Sequence, residues 1–287
     1  MRVFHIPLTA GGKAGRNVKR EESPMYKDVR NYGWIAGDEC ADFCRTVYSR
    51  PQQNLSGYPL GIITPPTWFP QMPGNVGNPW TYDFPVRYLR SEVEIQQLFD
   101  NDPGAVHALL EEARELEREG CRAITGNCGY YAHFQRELAE AVDVPVAMSS
   151  LLQVNWIRPT LKEGEKIGVI CAAASSFTPE LLLHAGVEDP EIVVVAGLED
   201  TEQFGPLARQ QMDVNYYNPR KLGEEIAAIA CGMMEENDLG AILLECSDLP
   251  PFAHMVQAAT NLPVFDFTTL HNWLYGAVCR RPFTGFL

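Results

Sequence analysis

The sequence predicts an α/β protein of two similar three-layer domains, with mainly parallel sheets related by a pseudo-two-fold axis and an active-site cleft between them. Short apolar runs alternate with amphipathic segments along most of the chain, which is typical of parallel sheets covered by helices. One unit also occurs twice: residues 123–146 and 241–264 each read as apolar run, cysteine, helical segment and Pro-Val strand. In both copies 17 residues separate the cysteine from that proline (145 − 128 and 263 − 246).

The first domain is expected at residues 56–165, after an N-terminal extension, 1–55, that shows no clear hydrophobic period. It begins with the strand LGIIT at 60–64, and a loop rich in proline, glycine and aromatic residues follows. Loops of this length are commonly functional. Asp102 is expected to cap a helix that ends at Gly120. The strand CRAIT, the cysteine turn, a helix, the strand VPVAM and a helix through LLQVNWIRPTLK complete the domain.

The second domain is expected at residues 166–270 and repeats the order of the first. The strand KIGVICA opens it, a helix capped by Thr178 follows, and EIVVVA is the next strand. Asn218 opens a long helix, and the strand GAILLE leads to the second cysteine turn, a helix and the strand LPVFDF. A last helix is expected near 268–279, and residues 271–287 are assigned to a C-terminal helix and tail.

Composition argues against several classes of function. The 287 residues carry a formal net charge of −14, which disfavours a nucleic-acid-binding surface and an anionic membrane surface. No apolar run is long enough to predict a membrane-spanning helix, and the N-terminus lacks the apolar segment of a signal peptide. Eight cysteines without such a signal indicate reduced thiols, so we expect a cytoplasmic location.

Neither a cofactor nor a metal is predicted. The chain has no C-x-x-C pair and no glycine-rich nucleotide loop of either common spacing. Cys40 and Cys44 have i, i+4 spacing, but a metal there would need further ligands to which the sequence does not point. Half-buried thiols are therefore the favoured interpretation of these two residues.

Cys128 and Cys246 are the predicted catalytic residues. Each follows a predicted strand, and ligands of parallel sheets bind beyond the carboxyl ends of the strands. Two like domains that face each other would bring both thiols to one cleft from opposite sides. A following helix N-terminus would lower the pKa of each thiol toward neutrality, and it would also hold a carboxylate.

The chain resembles the aspartate/glutamate racemase superfamily, which includes hydantoin racemases and related decarboxylases and isomerases. The resemblance covers about residues 60–281 and rests on TGNCGYYAHF, LLECSDLPPFA and IGVICAAASSFTPELL. It implies a cofactor-independent site in which one cysteine from each domain flanks the α-carbon of the substrate. One cysteine would act as the thiolate base, and the other would return a proton to the opposite face.

Substrate-binding residues are expected around these cysteines. Ser175 and Ser176 precede a predicted helix N-terminus, which suits a carboxylate, with simple capping as the alternative. Asn78 and Thr81 of the aromatic loop are assigned to a lid. Glu245 is assigned a structural role, because strand alternation would turn it away from Cys246. The remaining candidates adjoin the cysteines: Asn127, Gly129, Tyr130, Ser247 and Asp248.

Three functions remain open. A racemase or epimerase of a small carboxylate, working by two-base thiol/thiolate proton transfer, is favoured. A decarboxylase or cis–trans isomerase of small dicarboxylic acids would use the same cysteines, and the decarboxylase would need only one of them. A non-catalytic sensor of small carboxylates would tolerate serine at both positions. The expected partner is a small carboxylate substrate, and a homo-oligomer is expected.

Overall fold

The α/β architecture is confirmed: two four-stranded sheets, parallel throughout, are flanked by helices. When the strands are numbered within each half, both sheets have the order 2-1-3-4. The extension predicted at 1–55 lies outside the described residues, and Cys40 and Cys44 lie outside with it. The structure, a computed structural model, describes residues 57–67, 69–209, 216–280 and 283.

The first sheet contains the strands β1 (Leu60–Thr64), β2 (Val86–Arg90), β3 (Ala123–Gly126) and β4 (Val146–Ala147). Their spatial order is β2-β1-β3-β4. The central strands β1 and β3 are almost wholly buried, whereas β2 is half-buried at the edge. The sequence gives no prediction for β2, because its two arginines interrupt the apolar run expected of a buried strand and suit a sheet edge instead.

The second sheet contains β5 (Lys166–Cys171), β6 (Val193–Gly197), β7 (Leu239–Leu244) and β8 (Val264–Phe265), in the order β6-β5-β7-β8. Cys246 therefore follows β7, and Cys128 follows β3 of the first sheet. These two strands hold the same place in their sheets, so the repeated sequence unit corresponds to a repeated position in the fold.

Helices cover both sheets, and Gly120 and Asn218 lie at helix ends where the sequence predicts them. Asp102 caps a short turn that leads into the second helix. Gly120, with a φ of 87°, follows the end of that helix. Asn218 caps the longest helix through a hydrogen bond from the Lys221 backbone. Within the described residues, no helix is long and apolar enough to cross a membrane. The helices are α1 (Ile95–Phe99), α2 (Val106–Arg118), α3 (Gln135–Ala141), α4 (Val154–Ile157), α5 (Pro179–His184), α6 (Gly205–Ala208), α7 (Pro219–Glu236), α8 (Ala253–Thr260) and α9 (Phe267–Val278).

Two predicted helices are interrupted or preceded by 3₁₀ turns in the structure. The helix predicted through LLQVNWIRPTLK is divided into α4 and two short 3₁₀ turns, and Pro159 lies in the second turn, where it cannot donate a backbone hydrogen bond. A 3₁₀ turn, Gly129–Phe134, also stands between Cys128 and α3. The turn Pro250–Phe252 has the same place before α8.

The C-terminal helix belongs structurally to the first half. Phe267, Leu270 and Leu274 of α9 pack against Leu60 and Ile62 of β1, all of them buried. The boundary predicted between residues 270 and 271 therefore falls inside α9. A larger core joins side chains from both halves, so the two sheets are held against each other by apolar packing.

Candidate active site

The carboxyl ends of β3 and β7 meet at one cavity of about 200 Å³. Cys128 and Cys246 both line it, one from each half of the chain. This arrangement follows from the repeat, because facing parallel sheets bring their equivalent strand ends together. Five of the predicted binding residues line the same cavity: Asn127, Gly129, Tyr130, Ser247 and Asp248.

Hydrogen bonds to backbone carbonyl groups join the two halves around the cavity. Ser247 Oγ donates to the Asn127 carbonyl oxygen at 3.0 Å, and the Val76 backbone N–H donates to the Ser247 carbonyl oxygen at 3.2 Å. On the opposite side, the Tyr130 hydroxyl donates to the carbonyl oxygen of Ala173 at 3.0 Å. The relative position of the two thiols is therefore fixed by bonds to backbone atoms.

The aromatic loop after β1 contributes two residues that the sequence does not single out. Asp248 Oδ1 accepts a hydrogen bond from Asn75 Nδ2 at 3.0 Å and another from Gln71 Nε2 at 3.4 Å. Its other oxygen, Oδ2, lies 3.9 Å from Sγ of Cys246, within reach of a thiol hydrogen bond. Asp248 thus connects a loop of the first half to the thiol of the second.

Asn78 and Thr81, predicted as lid residues, do not line the cavity. Asn78 Oδ1 accepts a hydrogen bond from the Trp80 backbone at 2.8 Å, and Thr81 Oγ1 donates to the Asn75 carbonyl oxygen at 2.6 Å. A loop without regular structure needs side chains to satisfy its backbone groups, and these two residues supply them. They brace the loop that also carries Asn75 and Gln71.

Ser175 and Ser176 also lie outside the cavity lining. Both belong to one short 3₁₀ turn, and the Ser175 backbone donates to Glu199 Oε1 at 3.3 Å. The cap of the next helix, α5, comes instead from Thr178, whose Oγ1 accepts from the Leu181 backbone at 3.3 Å. The two serines therefore neither reach the cavity nor cap the helix.

The acidity of the thiols differs from the prediction. Burial raises the pKa of Cys128 well above the ordinary thiol value, and the Glu245 carboxyl raises it further. Burial also raises the pKa of Cys246, with contributions from Asp248 and then Glu245. Short 3₁₀ turns, rather than long α-helices, follow both residues, so little helix dipole is present to offset burial. The described lining residues place no positive charge beside them, so both cysteines are held as neutral thiols.

Glu245, assigned a structural role from the sequence, lies in the cavity wall. Strand β7 ends at Leu244, so strand alternation no longer turns the next side chain away, and Glu245 lines the cavity. It is 1% exposed, and neither carboxyl oxygen has a hydrogen-bond partner among the described residues. Burial raises the pKa of Glu245 to about 8. The nearby Ala172 backbone N–H, whose geometry falls short of a hydrogen bond, lowers this pKa in part, and the Asp248 carboxyl raises it. The one available signal was a glutamate beside a predicted catalytic cysteine.

Asp248 is the more acidic of the two buried carboxyls. Burial raises its pKa to about 6, and the hydrogen bonds from Asn75, Gln71 and Cys246 limit that rise. Above this pH the Asp248 carboxylate is a proton acceptor next to Cys246. Between this pH and about pH 8 Glu245 remains largely protonated, so the cavity then holds one buried carboxylate and one buried carboxylic acid.

The cavity wall is acidic and aromatic. Its charged side chains include Glu94, and of the described residues that line it none is a lysine, arginine or histidine. Phe69, Phe99 and Phe204 add aromatic rings. Aromatic faces and carboxylates both attract positive charge, so the wall favours an occupant that carries a cationic group. In the described part of the chain, the cavity included, no group of three or more histidine, cysteine or acidic side chains is arranged to hold a metal ion.

The fold and the cavity together define a two-domain α/β protein with one thiol from each half at a shared interdomain site. The model of the Asp/Glu/Hydantoin racemase family matches residues 87–275, which is well over half of the chain. The chain belongs to this family.

Two curated proteins that the chain resembles are dimethylsulfoniopropionate lyases. The chain is 31% identical over 222 residues to a dimethylsulfoniopropionate lyase of Durusdinium sp. clade D, covering 74% of this chain and 72% of that protein. It is 30% identical over 233 residues to dimethylsulfoniopropionate lyase 6 of Emiliania huxleyi. That match covers 78% of this chain but only 60% of the relative, so the chain spans less than two thirds of the Emiliania protein.

Solved structures with the same fold are more distant in sequence. Allantoin racemase from Pseudomonas fluorescens is 14% identical with a TM-score of 0.52, over 79% of this chain and 99% of that one. The Gly74Cys mutant of arylmalonate decarboxylase is 17% identical with a TM-score of 0.50, over 79% and 97%. At these identities the two structures show the fold alone.

Proposed function

We propose that this protein is a lyase that cleaves dimethylsulfoniopropionate, or a closely similar sulfonium carboxylate, by β-elimination. Two observations support the proposal. The relatives at 30–31% identity are lyases of this compound. The observation that carries it is the cavity itself, which combines two thiols with an acidic, aromatic wall and has no cationic side chain in its described lining.

The charge of the cavity favours this substrate over a simple dicarboxylate. Dimethylsulfoniopropionate carries a cationic sulfonium at one end and a carboxylate at the other. The sulfonium would be attracted by the Asp248 carboxylate and by the faces of Phe69 and Phe204. A dicarboxylate would instead bring two negative charges into a site that already holds buried carboxyl groups, without a cation to offset them.

A bound sulfonium would also lower the pKa of the thiols. A positive charge within a few ångströms favours the thiolate form, which burial alone disfavours. We assign the base to Cys246, because the Oδ2 atom of Asp248 lies 3.9 Å from its sulfur and can accept the thiol proton. The substrate would thus help to activate the base that attacks it.

The elimination then needs one proton transfer. The Cys246 thiolate takes a proton from the carbon next to the carboxylate, and the electron pair of that C–H bond forms the new C=C bond. The bond between the β-carbon and sulfur breaks, and its electron pair leaves with the sulfur as neutral dimethyl sulfide. The products are acrylate, dimethyl sulfide and the proton now held by the protein.

A two-base racemase or epimerase of a small carboxylate is the second candidate, because one thiol from each half lines the cavity. In that reaction both cysteines transfer protons to or from the same carbon. In an elimination only one base is required, so the two cysteines should contribute unequally.

The test is turnover of dimethylsulfoniopropionate by the purified protein, with dimethyl sulfide measured by gas chromatography and acrylate by NMR. We expect both products in equal amounts. Cys246→Ser should lower kcat/KM by about 10²–10⁴-fold, the usual contribution of a positioned base, and Cys128→Ser should lower it less. Cys231→Ser removes a thiol of α7 that does not line the cavity, and it should leave the rate unchanged.

Two outcomes would contradict the lyase proposal, and a third would contradict its assignment of the base. Exchange of the α-hydrogen of amino or hydroxy acids in D₂O, without release of dimethyl sulfide, would favour the racemase. Equal loss of dimethyl sulfide release in both cysteine variants would contradict Cys246 as the single base. Binding of small carboxylates without any turnover, unchanged in both variants, would indicate a sensor.

A further inference from the structure

We propose that Glu245, as a neutral carboxylic acid, donates a hydrogen bond to the substrate carboxylate and is a further catalytic residue of this site. The inference rests on the proposed function for the identity of the substrate. It concerns how a cavity with no cationic side chain among its described lining residues recognises the negative end of a zwitterion, which the two cysteines do not explain.

The position of the carboxyl group is set by Gly129. A Cβ atom at residue 129 would overlap Oε1 and Cδ of Glu245, so the carboxyl lies against the backbone immediately after Cys128. In the chain, Glu245 immediately precedes Cys246. The carboxyl therefore stands next to both thiols, where it raises the pKa of each.

Two hydroxyl groups of the cavity wall already have partners. Ser247 Oγ donates to the Asn127 carbonyl, and the Tyr130 hydroxyl donates to the Ala173 carbonyl. Glu245 is 1% exposed with both carboxyl oxygens unpartnered among the described residues. A buried polar group without a partner costs free energy, so its presence in a cavity wall indicates a bond that forms with the occupant.

The surroundings keep Glu245 neutral and therefore a donor. The titratable groups that face it are Cys128, Tyr130, Cys171, Cys246 and Asp248, and none of them can carry a positive charge. An ionised Glu245 would repel a substrate carboxylate, whereas the protonated form offers it an O–H donor. Burial raises the pKa of Glu245 to about 8, which is consistent with a proton retained at neutral pH.

This bond would strengthen as the reaction proceeds. Removal of the α-proton moves negative charge onto the carboxylate oxygens of the substrate, and a fixed donor stabilises that charge more in the transition state than in the ground state. The donor therefore contributes to rate as well as to binding.

Two substitutions of similar size separate donation from packing. Glu245→Gln keeps a neutral N–H donor and should retain kcat/KM within about tenfold, whereas Glu245→Leu removes the donor and should lose about 10²-fold or more. In the unchanged protein kcat/KM should fall as pH rises through about 8, where Glu245 ionises. The Gln variant should lack this fall. Glu112→Gln alters another partly buried carboxyl with a raised pKa, outside the cavity lining, and should match the unchanged protein.

Binding of propanoate, measured by calorimetry, gives a readout that does not need lyase activity. We expect the affinity to weaken by at least tenfold between pH 7 and pH 9.5 in the unchanged protein, to stay constant in Glu245→Gln and to be weak throughout in Glu245→Leu. Propanoate binding that Glu245→Leu leaves intact would overturn the proposal, as would a loss of equal size in both folded variants. If propanoate binding depends on a hydrogen-bond donor at residue 245 but no dimethyl sulfide is released, the lyase proposal fails and the role of Glu245 stands.

Discussion

Gly129 and Glu245 come from different halves of the chain and share one small volume beside the thiols. We expect Gly129→Ala to lower the free energy of unfolding by about 1–3 kcal/mol, because the added methyl group would force the buried Glu245 carboxyl to move. Urea unfolding followed by circular dichroism measures this change.

A double-mutant cycle shows whether the carboxyl is the cause. In a Glu245→Ala background the methyl group of Gly129→Ala would enter vacated space, so its cost should largely disappear. An equal cost in both backgrounds would mean that Gly129 accommodates something other than Glu245.

Residues near each other in the sequence were the predictable part of the site. Cys128 and Cys246 and their chain neighbours followed from the repeated unit. Asn75 and Gln71 could not be found in this way, because they stand 173 and 177 residues from their partner Asp248. Such contacts depend on how the loop folds, and a single sequence does not record it.

At the level of elements, α9 is connected to the first sheet through a buried histidine. His271 Nδ1 lies 2.8 Å from the Tyr82 hydroxyl and Nε2 lies 2.9 Å from Thr125 Oγ1, so the ring joins the aromatic loop, α9 and β3. Its side chain is fully buried, and burial lowers the pKa of His271 to about 3. The folded protein therefore holds a neutral imidazole at this position.

This pKa predicts an acid-dependent loss of stability. The unfolded chain binds a proton at His271 near pH 6.5, and the folded chain does so only near pH 3, so the contribution of this residue to stability falls as pH decreases through that window. The fall is at most about 1.4 kcal/mol per pH unit. His271→Leu should be less stable than the unchanged protein at pH 7 but should lose less stability between pH 7 and pH 5.

The exposed His254 provides the matched control. His254→Gln should keep the pH dependence of the unchanged protein, with the free energy of unfolding measured by urea at each pH. If His271→Leu shows the same pH dependence as that control, the buried imidazole does not cause the acid effect.

Helices with clear caps were predicted well, and segments with internal breaks were not. The start of α7 followed from Asn218 and Pro219, which are local signals. The predicted helix at 151–162 became α4 and its flanking turns. Its apolar residues point into the interface between the halves, so burial rather than helical periodicity explains their pattern.

For the whole molecule, we expect one cooperative unfolding transition. The main core contains Ile124 and Met148 from the first half together with Ile167, Val169 and Leu243 from the second. Neither half can unfold without exposing apolar surface of the other. Far-ultraviolet circular dichroism and tryptophan fluorescence should therefore change at the same denaturant concentration. Two separated midpoints would show that the halves are independent folding units.

The domain repeat was visible in the sequence at this scale, but the place of α9 was not. Its apolar residues would fit either sheet, and only the fold shows that they cover the first. The predicted homo-oligomer and the predicted lack of a cofactor stay predictions.

The two halves share a strand order, but their thiols have different neighbours. Asp248, held by Asn75 and Gln71, stands beside Cys246, whereas Gly129 and Tyr130 follow Cys128. The methylene group next to the carboxylate of dimethylsulfoniopropionate has two enantiotopic hydrogens, which a mirror plane of the molecule exchanges. Walls that differ in this way make those hydrogens distinguishable, so an achiral substrate would react stereospecifically. If deuterium replaces one hydrogen of that methylene, it should remain in the acrylate when it faces Cys128 and be removed when it faces Cys246.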